Sequence, residues 1–383
     1  MAKIAHLVCT FPPYRGGMGE TCYYQAKFLT ELGQEVAVFT PDYGRQKTTL
    51  TKPDFPIIYL EPWLKYGNAA WVPQLARYLN QFDIVHLHWP FIGAIQVVLW
   101  WKIWHPAKKL IVKYHMELVG QGLFKIIFSV YQWLFLSLTV KLADKIIVSS
   151  FDYAEHSRLA KFINHYPKKF VEIPLGVESD EFYPREKKYQ ILAKYNLSLF
   201  DKIILFVGGL DKAHYFKGVD KLIQAFAKFK YKNQSLKLLI VGQGNLIKYY
   251  QQLARDLGVL SQVIFADSVS NDELPDYFNL ADIFVLPSIN QSESFGLVIL
   301  KAMASAKPVV VSNLPGPRSL VKDNFNGWRV RPGDVEDLAK KIELLINDQS
   351  LINAFGQNGQ LMVQEKYSWL KVVEQLNQLY QNI

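Results

Sequence analysis

Cysteine is almost missing: the 383 residues contain two, Cys9 and Cys22. Two thiols at that spacing offer neither a disulfide framework nor a metal cluster, so a reducing, cytoplasmic setting is expected. Charge is sparse too, at 20% of residues, and the net +9 is spread along the chain without a dense basic block. No recognised binding motif accompanies that charge, and a nucleic-acid partner is not expected. There is no DxD-type metal site; Asp180 and Glu181 read as surface charge in a loop. No uninterrupted stretch reads as a membrane span, and the opening MAKIAHLVCTF is too short and too strand-like for a signal peptide.

Apolar residues, in contrast, make up half the chain, and 14% of residues are aromatic. That composition excludes general disorder, and the length predicts two domains of roughly 150 to 200 residues each. Lys3 to Thr10 reads as a strand, followed by a loop with Gly16, Gly17 and Gly19 and a helix to Leu32. Three glycines between strand and helix suit close approach of a ligand, with a plain tight turn as the alternative. Strands follow at Glu35 to Thr40 and Ile84 to Leu87, separated by a loose stretch punctuated by proline. The second strand runs into HLHWP, where His86 and His88 alternate onto one face. A hydrogen-bonded pair at a strand end is the preferred reading over a metal site. Leu110 to Tyr114 is a further strand that delivers His115 to its carboxyl end, the place where open α/β sheets bind ligands.

Two greasy helical segments lie near residues 95 to 109 and 123 to 144. Burial in the core is the first expectation for both. Aromatics beside Lys108, Lys109, Lys125 and Lys141 leave a peripheral membrane contact as the alternative. From Lys202 a second βα series begins, with strands at 203 to 209, 236 to 242, 263 to 267 and 283 to 288. Two tandem series imply two doubly wound, Rossmann-like parallel sheets facing a central cleft. The stretch from Leu286 to Gly316 then carries a strand, a polar loop, a helix and a second strand. Glu293 stands where its loop becomes the helix, so a carboxylate shares space with the first helical N–H groups. Donors of that kind favour anionic oxygens, and a carboxylate accepts from hydroxyls. Two amphipathic helices are expected after Val335.

These residues, in this order, resemble the GT-B glycosyltransferases, in particular the retaining group 1 or family 4 enzymes. The resemblance runs through PPYRGG, DIVHLHWP, KYHME, IPLGVESDEFYP, LFVGGL with FKGVDKLIQAF, LLIVGQG, SESFGLVILKAMA, KPVVVSNLPG and NGWRVRPGD. It implies an acceptor-side domain over 1–180, a nucleotide-sugar domain over 181–365 and a last helix, 366–383, packed back on the first. It further implies catalytic roles for His115, Glu293 and Lys217. The donor diphosphate would meet Gly16, Gly17, Lys212, Lys217, Ser294, Phe295 and Gly296, and the nucleotide Gly242, Gly244, Asp267, Ser268, Val269 and Lys301. No cofactor and no metal are implied beyond the nucleotide-diphosphate sugar itself; the acceptor would be a glycan or lipid-linked precursor at the inner face of the cytoplasmic membrane.

Two positions depart from the family pattern. Lys301 stands where a second glutamate is usual, and a lysine cannot accept from ribose hydroxyls. Gly209 stands where an arginine is frequent, with Lys212 the nearest substitute charge. The first departure keeps a second reading open, a catalytically silent subunit that binds a nucleotide sugar or glycan.

Overall fold

The computed structural model describes residues 2–14, 16–44, 53–120, 122–229, 235–267 and 269–383. The chain divides into two compact units, Met1–Gly176 with Trp369–Ile383, and Val177–Ser368.

The first unit holds β1 (Lys3–Leu7), β2 (Glu35–Pro41), β3 (Ile57–Leu60), β4 (Leu64–Tyr66), β5 (Ala69–Trp71), β6 (Ile84–Trp89), β7 (Lys109–Tyr114), β8 (Lys145–Val148) and β9 (Phe170–Glu172). Seven of these form a sheet in the order β3-β2-β1-β6-β7-β8-β9, and every pairing in it is parallel. Runs such as IVHLHW and KLIVKY are buried along nearly their whole length, as a sheet covered on both faces requires. The proline-punctuated stretch contains more structure than its composition signals: β3 joins the sheet edge, and β4 pairs antiparallel with β5 as a separate hairpin.

The second unit holds β10 (Lys202–Val207), β11 (Leu236–Val241), β12 (Val263–Ala266), β13 (Ile283–Leu286), β14 (Val309–Ser312) and β15 (Gly327–Val330). They form one parallel sheet in the order β12-β11-β10-β13-β14-β15. In both sheets the strand order reverses at one place, between β1 and β6 and between β10 and β13. Loops leaving the carboxyl ends of those strands diverge to opposite sides, which opens a crevice for a ligand.

Three helices close the second half of the chain, Val335–Ile346, Gln349–Met362 and Trp369–Gln381, where the sequence signals two. The last belongs to the first unit. Trp369 stacks on Tyr24 at 5.5 Å between ring centroids, and it lies so close to Gly176 that a Cβ there would fall 2.5 Å from the indole.

The greasy helices depart from the core expectation. Ala94–Trp104 buries Ile95, Val98 and Trp101 but leaves Trp100, Ile103 and Trp104 exposed. Leu123–Leu142 packs its C-terminal half through Leu136, Thr139 and Val140, whereas Phe124, Ile126, Ile127, Val130, Trp133 and Leu134 face solvent. By length and composition, Phe124–Leu142 is apolar enough to cross a membrane, contrary to the sequence reading. Its C-terminal half is nonetheless tied into the core of the first unit, and a span would strip that packing.

Candidate active site

In the second unit the strand reversal brings Lys217 and Glu293 together. The loop after β10 leads into a short 3₁₀ turn, Lys212–Lys217, capped by Asp211, whose carboxylate accepts from the N–H groups of Ala213 and His214. The turn ends on Gly218, left-handed at φ 70°, packed so tightly that a Cβ would lie 2.1 Å from the Pro287 carbonyl oxygen. The Ile289 N–H donates to the Phe216 carbonyl at 2.7 Å, tying this turn to the loop that follows β13. The Lys217 ammonium thereby donates to Glu293 Oε2 at 2.7 Å, with only 13% and 11% of the two side chains exposed.

Glu293 is followed by Ser294, buried Phe295 and Gly296, the last left-handed at φ 90° at the start of the helix Leu297–Ala304. No side chain caps that helix. Gly316, after β14, supports the loop from behind: a Cβ there would lie 2.1 Å from the Ser294 carbonyl oxygen.

Gly242 and Gly244 have an explanation that needs no ligand. A Cβ at Gly242 would meet the Gly208 carbonyl oxygen at 1.9 Å, and one at Gly244 would meet the Leu210 carbonyl carbon at 2.0 Å. The loop after β11 lies directly on the loop after β10, locked by the Leu210 N–H donating to the Gln243 carbonyl at 2.9 Å. Asp267 is exposed and Val269 buried, while Ser268 lies outside the described residues.

Both departures from the family pattern have local partners. Lys301 lies 3.9 Å from Glu178 Oε2, and its ammonium is 4.9 Å from the centroid of the Phe182 ring. A carboxylate therefore occupies the corner where the helix carries lysine. At Gly209 a Cβ would fall 2.6 Å from His214 Nδ1, so this imidazole fills the space of a longer side chain. His214 in turn sits 2.9 Å from Asp211 Oδ2. Partial burial pushes the Asp211 carboxyl up, but His214 and two backbone N–H groups hold it below its ordinary range. Lys212 is exposed.

In the first unit, Gly16 precedes the helix Gly17–Glu31, which has no side-chain cap. The helix starts hard against the end of β1: a Cβ at Gly19 would lie 2.7 Å from the Thr10 carbonyl oxygen. His115 follows β7 and donates its backbone N–H to Trp89 at 3.1 Å.

The two histidines of β6 are not bonded to each other, which corrects the paired reading. His88 Nε2 lies 3.1 Å from His6 Nδ1, and His88 Nδ1 lies 2.9 Å from His115 Nε2. His86 Nδ1 bonds instead to the Tyr380 hydroxyl. Partner choice follows from sheet register, since His6 pairs with His86 across β1 and β6 and all four rings stack along one face. Burial drives His6 down to about 3 and holds His86, His88 and His115 well below the ordinary imidazole value, so all four are neutral. Neither His6 nor Tyr380 is marked by any local motif. The visible signal for His6 is a lone polar residue inside an otherwise apolar strand.

Two family models tile the chain: Glycosyltransferase Family 4 over residues 15–181 and Glycosyl transferases group 1 over residues 188–362. Among curated proteins, an uncharacterized glycosyltransferase of Methanocaldococcus jannaschii is 28% identical over 99% of this chain and 97% of its own length. The O-antigen chain mannosyltransferase C of Escherichia coli is 24% identical over 99% and 98%. Among solved structures, Anabaena HepE in complex with UDP and glucose superposes with a TM-score of 0.82, at 19% identity and over the full length of both chains.

Proposed function

Because this chain belongs to the group 1, family 4 glycosyltransferases of GT-B fold, which take sugars from nucleotide sugars, we propose a retaining, metal-independent transfer to a membrane-borne acceptor hydroxyl. The observation that carries the donor half is the Lys217–Glu293 pair at the strand reversal of the second sheet. Breaking the anomeric C–O bond places charge on the departing diphosphate, and a fixed ammonium stabilises that charge as it develops. Glu293 accepts from hydroxyls of the sugar and, when the diphosphate draws Lys217 away, loses its present partner to the ligand. Glu178, almost fully buried beside Lys301, balances the charge of that lysine where the family usually carries a glutamate.

A thermal-shift screen with UDP, GDP and ADP, followed by turnover of the matching sugars, tests this reading. A nucleoside diphosphate at about 100 times its Kd should add about 2.7 kcal/mol to stability. If none of the three raises the melting temperature, the donor assignment fails.

The acceptor half rests on the exposed apolar surface of the first unit. The β4–β5 hairpin adds Trp63, Leu64 and Tyr66 to the bare half of the helix Leu123–Leu142, and Tyr66 stacks on Phe124 at 5.5 Å. Lys65 and Lys125 are exposed in the same elements. Aromatic and aliphatic side chains flanked by lysine suit the headgroup boundary of an anionic bilayer, and a lipid-linked acceptor would be met there. The protein should therefore co-sediment with phosphatidylglycerol-containing vesicles and much less with neutral ones. Trp133→Glu combined with Ile126→Glu should abolish that binding while far-UV circular dichroism stays unchanged. Vesicle binding that survives the double variant would place the contact elsewhere.

A further inference from the structure

We propose that His6 and His88 are positioning residues for His115, holding its ring so that Nδ1 carries the proton and is the donor this side chain presents. The proposal rests on the catalytic role that the family resemblance implies for His115.

Its basis is the connected chain of imidazoles. His6 Nδ1 faces His88 Nε2 at 3.1 Å, and His88 Nδ1 faces His115 Nε2 at 2.9 Å. His6 and His88 are fully buried and His115 is 6% exposed. Each neutral ring has one N–H and one bare nitrogen, so two hydrogen bonds among three rings force them into one direction together. In one direction His6 donates to His88, His88 donates to His115, and the His115 proton is left on Nδ1. In the other, His115 donates inward from Nε2, and the surplus N–H ends on His6 Nε2.

The far end decides between them. His6 Nε2 is buried with no hydrogen-bond partner. A proton there would be an orphaned donor in the core, the rarer and less tolerated kind of unsatisfied group, whereas a bare lone pair is the milder defect. The first direction therefore wins, and the buried end of the chain determines what the exposed end offers a ligand. Neutrality of the rings, enforced by burial, keeps the count of protons fixed.

A competing use of the same residues is a metal site, since donor atoms of His6, His86 and His88 lie within 4.8 Å of one another. The rings argue against it. His86 and His88 stack with only 10° between their planes, and His6 with His86 at 29°, so their in-plane lone pairs run side by side rather than converging. A tetrahedral ion needs convergence.

The test is two-dimensional nitrogen–proton NMR on full-length protein labelled with ¹⁵N-histidine, with signals assigned through single-histidine variants. His115 should show a protonated Nδ1 and a bare Nε2. A protonated Nε2 would overturn the proposal, as would one equivalent of zinc found by elemental analysis of the purified protein. Kinetics give a second readout. His88→Leu should lower kcat about tenfold with little change in donor KM, and His88→Asn, which keeps a donor where Nδ1 stands, should recover most of it. Equal kcat for both variants and the parent would also overturn it. His115→Ala at undiminished turnover would refute the catalytic role of His115 alone, leaving the tautomer result intact.

Discussion

Lys217→Ala is expected to reduce sugar transfer about 100- to 1,000-fold, the range typical for loss of one preorganised donor from a site of developing charge. The lysine is held by the Gly218 turn, by the Ile289–Phe216 bond and by Glu293, so its ammonium needs little reorganisation when the diphosphate departs. The same substitution leaves the Glu293 carboxylate nearly buried without its partner, and breaking one side of such a pair costs about 3–5 kcal/mol. A lower melting temperature should therefore accompany the lower rate. Activity must be read well below that temperature, per folded molecule. Glu293→Ala should lose as much turnover but less stability if the freed ammonium turns toward solvent. Lys217→Arg should be intermediate, since a planar guanidinium keeps the charge but not the reach. Turnover within threefold of the parent in both alanine variants would remove the pair from the mechanism.

The pair also shows what a sequence makes legible. Strand and helix alternation, and a carboxylate at a loop-to-helix boundary, are local patterns, and they locate Glu293 without any structure. Lys217, 76 residues earlier, becomes its neighbour only because β13 inserts beside β10 rather than beside β12. His6 and Tyr380 are illegible for the same reason, with partners 82 and 294 residues away in sequence. Glycine is ambiguous in a different way. Gly242 and Gly244 also have a backbone reason of their own, because the neighbouring loop stands where a Cβ would be. Exposure is the least legible property of all: the pattern of Leu123–Leu142 is equally that of a core helix, and among the described residues no element covers Trp133.

Acid should destabilise the first unit steeply. His6, His86, His88 and His115 are neutral in the fold because burial opposes their charge, with His6 lowered to about 3 and the others well below the ordinary value. In the unfolded chain they protonate near 6.5. Below that pH the unfolded state binds more protons than the folded one, so stability rises with pH and is lost on acidification. Four such groups give a limiting slope of about 5 kcal/mol per pH unit once the pH is well under 6.5, set against a total of about 5–15 kcal/mol for a domain. Lys113 acts in the same sense higher up. Burial lowers it to about 7 in the fold against 10.5 when free, so stability continues to climb from pH 7 toward 10. The opposing groups are Cys9, Cys22, Tyr114, Tyr131 and Tyr380, all raised by burial, whose ionisation in the unfolded chain erodes stability above about pH 9. The optimum should fall near pH 8–9. Urea midpoints followed by hydrogen exchange at the amides of β1, β6 and β7 should drop sharply between pH 6.5 and 5, and His6→Gln should reduce the slope by about one proton. A midpoint that stays level from pH 8 to 5 would mean that these histidines are not the neutral, buried groups that line one face of the sheet.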